Sequence, residues 1–372
     1  MEKKKKKIFI IAGEASGDLY GANFISAMPD YEFVGVGGER MEELGFTSLF
    51  NINEIAVMGI FEVLPRVFKI NSLIKKTIKE IEKQKPDLIL TIDSPGFCFR
   101  VIKKLKHSLA KKVHLVAPTV WAWKPKRAKK ISKMFDLLLC LLPFEPPYFE
   151  KWGLKSKFIG HPIFDGLPEQ PKQRFSNYTQ TIVLTPGSRK GEILKIYPIM
   201  IKTINILRKK FDIDVQVFAT KNTKILLEYI TMNEFFACNI ITDKTKKENI
   251  LKSTNFAIAK SGTNTFEFNI YHIPIVVVYT MNYFTNKIGK FLIKSKFANL
   301  VNVIAKREII PEFIGEKANP YSIANKIDEL LKNSDATKKQ IADTTEIIKE
   351  LGYLNEETAI KRAVKEIEEV IL

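Results

Sequence analysis

The chain has 372 residues, enough for two domains of moderate size, and 45% of them are hydrophobic, so each half can bury its own core. This composition excludes bulk disorder and a fibrous architecture. The formal net charge of +18 favours anionic partners such as nucleic acid, acidic lipid headgroups or phosphorylated substrates, although a proteome-wide preference for lysine explains much of the excess equally well.

The N-terminus begins with a lysine-rich segment, Met1 to Lys7, followed by the apolar stretch Ile8–Ala12. This stretch is too short for the hydrophobic region of a secretory signal peptide, so we interpret it as a first buried strand. The longest apolar run, Leu137 to Leu142, is also far shorter than a bilayer-spanning helix. We therefore expect a protein that is soluble or rests on a membrane without crossing it.

Short apolar runs alternate with longer amphipathic segments through the first half of the chain. Continuous apolar strands separated by helices predict a parallel sheet that is covered on both faces. The predicted strands are Ile8–Ala12, Phe33–Val36, Leu88–Ile92, Val113–Val116 and Leu137–Leu141.

The first strand runs into a loop with glycines, Ala12 to Asp18, and then into a helix. Such a loop points backbone N–H groups and the Ser16 hydroxyl towards a ligand, which suits an anion or a sugar. It is not a dinucleotide fingerprint, because the glycine spacing is wrong and Glu14 would repel a pyrophosphate. A plain turn, with Ser16 or Asp18 as the helix N-cap, explains the pattern equally well.

The segment from Met58 to Glu82 is the clearest amphipathic stretch. Its first part has the composition of a helix that lies in a membrane interface. In its second part, apolar residues at helical spacing favour packing against a core. The apolar residues that we predict to face a membrane or acyl chains are Ile60, Phe61, Val63, Leu64, Val67 and Phe68.

Asp93 follows the predicted strand Leu88–Ile92 and precedes Ser94-Pro95-Gly96. A carboxylate at the carboxyl end of a parallel strand faces the ligand crevice, where a general base would be useful. On spacing alone, a turn-forming aspartate before Ser-Pro is the simpler interpretation.

A run from Trp121 to Lys133 mixes aromatic and cationic side chains. Taken alone, it has the composition of a nucleic-acid patch, with bases stacked on tryptophan and phosphates on lysine or arginine. A solvated basic helix or a surface for anionic lipid fits the same residues.

A polar stretch, Glu169 to Gln180, predicts a linker between one domain at residues 1–168 and a second at residues 181–345. Residues 346–372 are predicted to form a C-terminal helix that packs on the first domain or on a partner subunit. The fold class is therefore α/β, with two Rossmann-like doubly wound domains that face a central cleft. The strands predicted in the second domain are Thr181–Leu184, Val215–Phe218, Ile240–Ile241, Phe256–Ala259 and Ile275–Val278.

Two loops of the second domain suit a nucleoside diphosphate. The first follows strand Thr181–Leu184 and offers the flexible sequence Gly187-Ser188-Arg189, with a guanidinium for phosphate. The second passes through Ser261, Gly262 and Thr263 into a helix, which aims free N–H groups at an anion. Glu267, one turn further, is placed to accept hydrogen bonds from ribose hydroxyls. A plain N-cap at Ser261 or Thr263 explains the start of this helix but not the glycine and glutamate together.

Metal and disulfide patterns are absent from the sequence. The three cysteines are far apart, so we expect a reducing compartment, and the four histidines lack ligand spacing. The string Asp212-Ile213-Asp214 leads into a strand instead of following one, so we reject it as a metal–diphosphate site.

Taken in order, these motifs resemble the lipid-A-disaccharide synthase family, over both domains from about residue 8 to 312. Each motif alone is modest evidence, but the ordered set is specific. The matching stretches are Ala12–Asp18 with Gly21, Phe33–Gly38, Ala56–Gly59, Ile92-Asp93, Val120–Trp123, Leu142–Glu145, Phe158–His161, Pro186–Arg189, Ser261–Thr263 with Glu267, and Phe284-Thr285.

The resemblance implies an inverting glycosyltransferase of the two-Rossmann-domain (GT-B) type that needs neither metal nor cofactor. Its substrates would be UDP-2,3-diacylglucosamine and 2,3-diacylglucosamine 1-phosphate, joined by a β-1,6 bond with release of UDP. Asp93 would activate the acceptor 6-hydroxyl. The resemblance places Arg189, Ser188, Gly262, Thr263, Glu267 and Asn302 on the UDP side, and Glu14 and Ser16 at the sugar end.

The resemblance further implies a homodimer and a peripheral location on the anionic cytoplasmic face of the inner membrane, without nucleic acid as a partner. One departure bears on the base: family members often carry a second acidic residue where this chain has Gly96, which leaves Asp93 as the sole local candidate. The alternatives are another UDP-sugar enzyme of the same fold, such as an epimerase, and a basic nucleic-acid-binding protein.

Overall fold

A computed structural model of the chain describes residues 5–55, 67–105, 107–122, 124–170, 179–280 and 296–371. The chain divides into two compact units: unit 1 comprises Met1–Leu167 and Leu351–Leu372, and unit 2 comprises Pro168–Glu350. Several residues singled out in the sequence lie outside the described ranges, namely the stretch Ala56–Gly59, most of the predicted linker (residues 171–178), Ile60, Phe61, Val63, Leu64, Trp123, Phe284 and Thr285.

Unit 1 contains six parallel strands in the order β2-β1-β3-β4-β5-β6, when the strands are numbered along the chain. The strands are β1 Lys7–Ala12, β2 Glu32–Val36, β3 Leu88–Ile92, β4 Lys111–Leu115, β5 Leu137–Cys140 and β6 Lys155–Phe158. The helices are α1 Ala15–Ala27, α2 Glu39–Glu42, α3 Val67–Gln84, α4 Pro95–Lys104, α5 Ala128–Ile131 and α6 Pro147–Glu150.

Unit 2 repeats this architecture, with six parallel strands in the order β12-β11-β10-β7-β8-β9. The strands are β7 Thr179–Thr185, β8 Asp212–Phe218, β9 Asn239–Ile241, β10 Phe256–Lys260, β11 Ile275–Tyr279 and β12 Glu312–Ile314. The helices are α7 Lys190–Leu207, α8 Lys224–Asn233, α9 Lys244–Leu251, α10 Asn264–Ile270, α11 Leu300–Ala305, α12 Pro320–Lys332 and α13 Ser334–Glu350.

Both sheets confirm the predicted α/β class with two doubly wound domains. Their central strands are continuous apolar runs, buried because helices cover both faces. The sequence prediction missed β6 and β12, which are edge strands with partly exposed residues and therefore lack the continuous apolar pattern. Among the described residues, none of the helices combines the length and the apolar character needed to cross a membrane.

A last helix, α14 (Ala359–Ile371), returns to unit 1 and packs on the face of the sheet that also carries α1. Its buried residues recur at helical spacing, at Ala359, Ile360, Ala363 and Ile367. The start of α14 is fixed by Asp165, whose carboxylate accepts hydrogen bonds from the backbone N–H groups of Ala359 at 2.7 Å and Ile360 at 3.1 Å. A side chain far away in the sequence thus caps this helix.

Asp165→Ala is expected to loosen α14, because two N–H groups at its first turn lose their acceptor. We expect the local free energy of opening to fall by about 1 kcal/mol. Amide hydrogen exchange, followed by mass spectrometry, should speed up in residues 359–371. Asp165→Asn retains an oxygen acceptor and is the control. Equal exchange in the alanine variant and the wild type would contradict the capping role.

Candidate functional site

The strand order reverses at one point in each sheet. In unit 1 the chain goes from β1 to its neighbour β2 and then returns to β3 on the other side of β1. In unit 2 it goes from β7 to β8 and β9 and then returns to β10 on the other side of β7. Ligands of open α/β sheets bind beyond the carboxyl ends of the strands at such a point. The loops after β1, β3, β7 and β10 are therefore the candidate site loops.

Glu14 and Ser16, the two residues predicted to line the sugar end, lie in the loop after β1 and at the start of α1, respectively. Glu14 occupies the N-cap position of α1 with extended backbone, but its side chain makes no capping hydrogen bond. Glu14 is half-buried and Ser16 is exposed on the first turn of the helix. Both side chains are thus placed at the carboxyl edge of the sheet.

Asp18 does not cap α1, the plain structural role that the sequence left open. Its buried carboxylate instead accepts hydrogen bonds from the N–H groups of Gly38 at 2.8 Å, Arg40 at 3.1 Å and Met41 at 3.3 Å. These groups form the start of α2, so Asp18 caps the next helix along the chain. The residue is engaged in the fold and is not available to a ligand.

Gly13 brings the loops after β1 and β3 into contact. A Cβ atom at this position would lie 2.1 Å from the Cβ atom of Ser94, a distance that real side chains do not adopt. Only glycine therefore lets the β1 loop pass against Ser94, the neighbour of Asp93. The two predicted functional loops of unit 1 are adjacent for this reason.

Asp93 and Ser94 are consecutive residues in the left-handed region, with φ of +52° and +47°. Such a conformation costs about 1–3 kcal/mol per residue and persists only where the surrounding structure enforces it. Here the Asp93 N–H donates to Leu115 O at 3.0 Å, and the Ser94 N–H donates to Asp93 Oδ1 at 2.7 Å. The turn places Asp93 directly after β3, at the carboxyl edge of the sheet.

Burial raises the pKa of Asp93 above its usual value, against the opposing effect of the Ser94 hydrogen bond. The neighbouring phenol of Tyr20 is affected as well, since burial first and the charges of Asp93 and Asp165 second raise the pKa of Tyr20 to about 12. Tyr20 is therefore a neutral group beside the carboxylate. A carboxylate with a raised pKa is a stronger proton acceptor, as a general base requires.

Glu145 is a buried carboxyl group in the loop after β5 that the sequence analysis did not assign to the site. It accepts hydrogen bonds from Trp121 Nε1 at 3.3 Å and from the Leu142 N–H at 3.1 Å. Burial outweighs both hydrogen bonds and raises the pKa of Glu145 to about 8. The indole of Trp121 also packs edge to face on Phe144, with ring centroids 5.3 Å apart. Trp121 is thus engaged within the protein, which disfavours its predicted alternative use as a stacking platform for bases.

The loop after β7 carries the predicted phosphate ligands Ser188 and Arg189. Gly187 has φ of +113°, which lets the chain turn sharply before α7. Ser188 is exposed, and Arg189 occupies the N-cap position of α7 with a side chain that is 54% exposed. The Nη1 atom of Arg189 lies 3.6 Å from Glu192 Oε1 on the first turn of this helix. The guanidinium is therefore at the carboxyl edge and open to solvent.

The loop after β10 passes through Gly262 and Thr263 into α10. Thr263 occupies the N-cap position and is exposed, but its side chain makes no capping hydrogen bond. Ser261 does not cap the helix either, since its hydroxyl donates to Ala298 O at 2.8 Å. Asn264 Nδ2 donates to Thr185 Oγ1 at 2.9 Å, which ties this loop to the end of β7. The two candidate loops of unit 2 are thus joined.

Glu267 lies one turn into α10 and is half-buried. Burial raises its pKa, partly offset by the positive charge of Lys247. Lys247 is itself fixed, because its Nζ donates to Ala219 O at 2.6 Å. This arrangement leaves a desolvated carboxyl group near the start of α10, the position predicted to receive ribose hydroxyls.

Asn302 is fully buried, and its amide is occupied by the protein itself. Its Oδ1 accepts from the N–H groups of Ile309 and Ile310, and its Nδ2 donates to Ile310 O at 2.7 Å and Glu312 Oε1 at 2.8 Å. Glu312 in turn accepts from the N–H groups of Ala298 and Asn299. In this structure Asn302 braces the segment that Ser261 contacts, and its role as a direct nucleotide contact stays a prediction.

Val67 and Phe68 are the described members of the predicted membrane-facing set, at the start of α3. Val67 is half-buried, whereas Phe68 is 89% exposed. Further along α3, Leu73, Ile74 and Ile81 are buried in the core, as the helical spacing of the second half predicts. The exposed apolar side chain is thus confined to the first turn.

Comparison with known proteins identifies the sequence family. A family model described as lipid-A-disaccharide synthetase matches residues 8–367. The lipid-A-disaccharide synthase of Rickettsia bellii (strain OSU 85-389) is 42% identical over 94% of this chain and 94% of its own. The enzyme of the same name from Rickettsia prowazekii (strain Madrid E) is 39% identical over 99% and 100%, and that of Gluconobacter oxydans (strain 621H) is 37% identical over 93% and 86%.

Solved structures share the fold at low sequence identity. S. aureus MnaA in complex with UDP superimposes with a TM-score of 0.65 at 14% identity, over 98% of this chain and 96% of that one. The calicheamicin glycosyltransferase CalG4 gives a TM-score of 0.61 at 12% identity, over 99% of both chains. These likenesses confirm the predicted GT-B architecture and carry no argument about the substrate.

The raised pKa of Glu145 predicts a pH-dependent contribution to stability. In the unfolded chain this group ionises near its ordinary value of 4.5, but in the folded chain it stays protonated up to about pH 8. Between these values the unfolded state binds fewer protons, so the stability contributed by this group falls as pH rises, by at most about 1.4 kcal/mol per pH unit.

Glu145→Gln removes the titration and keeps one of the two acceptor oxygens, so the loss of the other hydrogen bond changes stability by an amount that does not depend on pH. The difference in unfolding free energy between wild type and variant should therefore shift in favour of the variant from pH 5 to pH 8. Urea unfolding at several pH values, followed by tryptophan fluorescence, measures this difference. A difference that stays constant with pH would show that Glu145 does not titrate in this window.

Proposed function

The chain belongs to the lipid-A-disaccharide synthase family, and we propose that it joins UDP-2,3-diacylglucosamine to 2,3-diacylglucosamine 1-phosphate with Asp93 as the base. The family acts in lipid A synthesis as a glycosyltransferase, so the substrates of this chain are a UDP-sugar and a lipid-sugar phosphate. Family membership also decides against the alternatives of an epimerase and a nucleic-acid-binding protein.

The position and surroundings of Asp93 support the proposal most strongly. It follows β3 at the point where the strand order of unit 1 reverses, and its backbone is held in a left-handed conformation. Among the described residues, its carboxylate receives one hydrogen bond, from the adjacent Ser94 N–H. A strained, partly desolvated carboxylate with acceptor capacity to spare is suited to receive a proton from a substrate hydroxyl.

The proposed reaction is a single displacement. Asp93 takes the proton of the acceptor 6-hydroxyl while the oxygen of that hydroxyl forms a bond to C1 of the donor sugar. The bond from C1 to the phosphate oxygen breaks at the same time, and its electron pair leaves on UDP. Attack on the face opposite the leaving group inverts the configuration at C1 and gives the β-1,6 linkage.

We assign the nucleotide to the two joined loops of unit 2. The exposed guanidinium of Arg189 would pair with the diphosphate, and the start of α10 at Gly262 and Thr263 would donate N–H groups to it. Such donors stabilise the charge that develops on the leaving UDP. Glu267 would accept hydrogen bonds from the ribose, while Glu14 and Ser16 would contact the sugar.

The acyl chains of both proposed substrates call for contact with a membrane. Phe68 offers an exposed aromatic side chain at the start of α3, next to Lys69. The net charge of +18 would attract the protein to an anionic leaflet, which we assign to the cytoplasmic face of the inner membrane. The homodimer implied by the resemblance stays a prediction.

Asp93→Asn is expected to lower kcat by about two orders of magnitude or more, because the amide cannot accept the proton. The assay measures UDP and disaccharide formed from the two acylated substrates in the presence of EDTA. In the wild type, activity should be lost as pH falls through the raised pKa of Asp93, since only the ionised form acts as base.

Asp136→Asn is the matched control, because Asp136 accepts a hydrogen bond from the Lys112 N–H at the opposite edge of the same sheet. A folded Asp93→Asn variant with near wild-type kcat would exclude Asp93 as the base. A folded wild type without product would exclude the proposed substrates.

Phe68→Ser is expected to weaken membrane binding by about tenfold, since a phenylalanine side chain contributes on the order of 1–3 kcal/mol when it is buried in an apolar phase. Co-sedimentation with vesicles of phosphatidylethanolamine and phosphatidylglycerol measures the effect. Leu109→Ser is the control, because Leu109 is fully exposed but precedes β4, at the opposite edge of the sheet. Equal losses in both variants would argue against a specific membrane contact at Phe68.

A further inference from the structure

Glu192 joins two cations at the carboxyl edge of unit 2. Its carboxylate lies on the first turn of α7, with a side chain that is 17% exposed. The same oxygen, Oε1, is 3.2 Å from Lys260 Nζ and 3.6 Å from Arg189 Nη1. One negative charge therefore holds two positive charges beside each other, and the three groups together carry a net charge of +1.

Lys260 reaches this position from the end of β10, the strand next to β7 at the point of reversal. Its side chain is 19% exposed, and its ammonium group lies 5.7 Å from the ring centroid of Tyr279, at the end of β11. The aromatic ring and the carboxylate both contact the ammonium group and hold it in place. Lys260 is thus a preorganised cation.

Gly187 leaves the space that this arrangement requires. A Cβ atom there would lie 2.9 Å from Glu192 Oε2 and 3.8 Å from Lys260 Cδ. The backbone of the loop after β7 therefore passes directly over the Glu192–Lys260 pair. Lys260 is thus a close neighbour of the loop that carries Ser188 and Arg189.

The charge balance of the group suits a diphosphate. With Glu192 between them, the two cations do not repel each other strongly while the site is empty. An entering diphosphate carries more negative charge than Glu192 and offers several oxygens, so it can accept hydrogen bonds from both cations at once. A compact ammonium and a planar guanidinium complement each other in binding a diphosphate, because the ammonium acts as a point charge and the guanidinium donates two parallel hydrogen bonds.

We propose that Lys260 is a second diphosphate-binding residue, which Glu192 holds beside Arg189 until UDP or the UDP-sugar arrives. The inference rests on the proposed assignment of the nucleotide to unit 2. Lys260 then contacts the leaving group directly and stabilises the negative charge that UDP acquires when the bond to C1 breaks. Glu192 is a positioning residue for both cations.

Titration of the full chain with UDP and with uridine tests the proposal. Lys260→Met should weaken UDP binding by about tenfold or more, because a charge-assisted hydrogen bond is lost, and should leave uridine binding unchanged. Lys260→Arg should retain most of the UDP affinity, since it restores the charge. Arg189→Ala serves as the reference and should abolish UDP binding.

Lys210→Met is the matched control, because Lys210 also forms an ion pair in unit 2, with Asp328 at 2.6 Å, beyond the far end of α7. It should bind UDP like the wild type. Normal UDP affinity in a folded Lys260→Met variant would overturn the inference while leaving the nucleotide site intact. A wild type that binds no UDP would instead overturn the assignment of the nucleotide to unit 2. Equal losses of UDP and uridine binding in Lys260→Met would show a structural role only.

Discussion

All strands within each sheet run parallel, and this constraint decides where chemistry can occur. Parallel strands end at one common edge, so the loops that follow them are collected there, and the reversal of strand order opens a crevice between two of these loops. In unit 1 the crevice is flanked by the loop with Gly13 and by the turn at Asp93. In unit 2 it is flanked by the loops with Arg189 and Gly262. The glycines matter because they let adjacent loops approach closely, as the contact of Gly13 with Ser94 shows.

The acidic and the basic groups of the candidate site differ in what surrounds them. In unit 1, desolvation outweighs hydrogen bonding and raises the pKa of Asp93 and of Glu145, so these carboxyl groups hold protons more readily than exposed ones. In unit 2, Glu192 pairs with the exposed Arg189 and with Lys260, whose ammonium group is mostly buried and is compensated by this pair. A general base works best when its pKa is shifted towards neutral pH, whereas phosphate binding requires a permanent positive charge. Asp93 thus meets the requirement for its proposed role as a base, and Arg189 and Lys260 meet the requirement for their proposed role in binding diphosphate.

The sequence predicted the central strands well because a buried parallel strand is a continuous apolar run, and Leu88–Ile92 was placed at its observed bounds. It predicted edge strands poorly, since Lys155–Phe158 alternates lysines with a buried serine and a half-buried phenylalanine. Val116 was predicted within a strand, but its φ is +77°, so the strand ends one residue earlier. The positions of Asp93 and Arg189 after their strands followed from the same pattern. Glu145 and Lys260 were not assigned roles because their significance depends on partners far away in the sequence, namely Trp121 and Glu192.

The predicted ligands of unit 2 differ in how exposed their side chains are, and this difference distinguishes their roles. Arg189, Ser188 and Thr263 are exposed, and the Asn302 amide is consumed by four hydrogen bonds within the protein. Asn302 acts on the site through Glu312, which holds Ala298, and Ala298 in turn accepts the hydrogen bond from Ser261. A motif match alone cannot separate a ligand from its support, because both are required at fixed spacing. Exposure and hydrogen bonding separate the two roles: a buried group whose hydrogen bonds are satisfied within the protein shapes the loop, whereas an exposed group can reach a ligand.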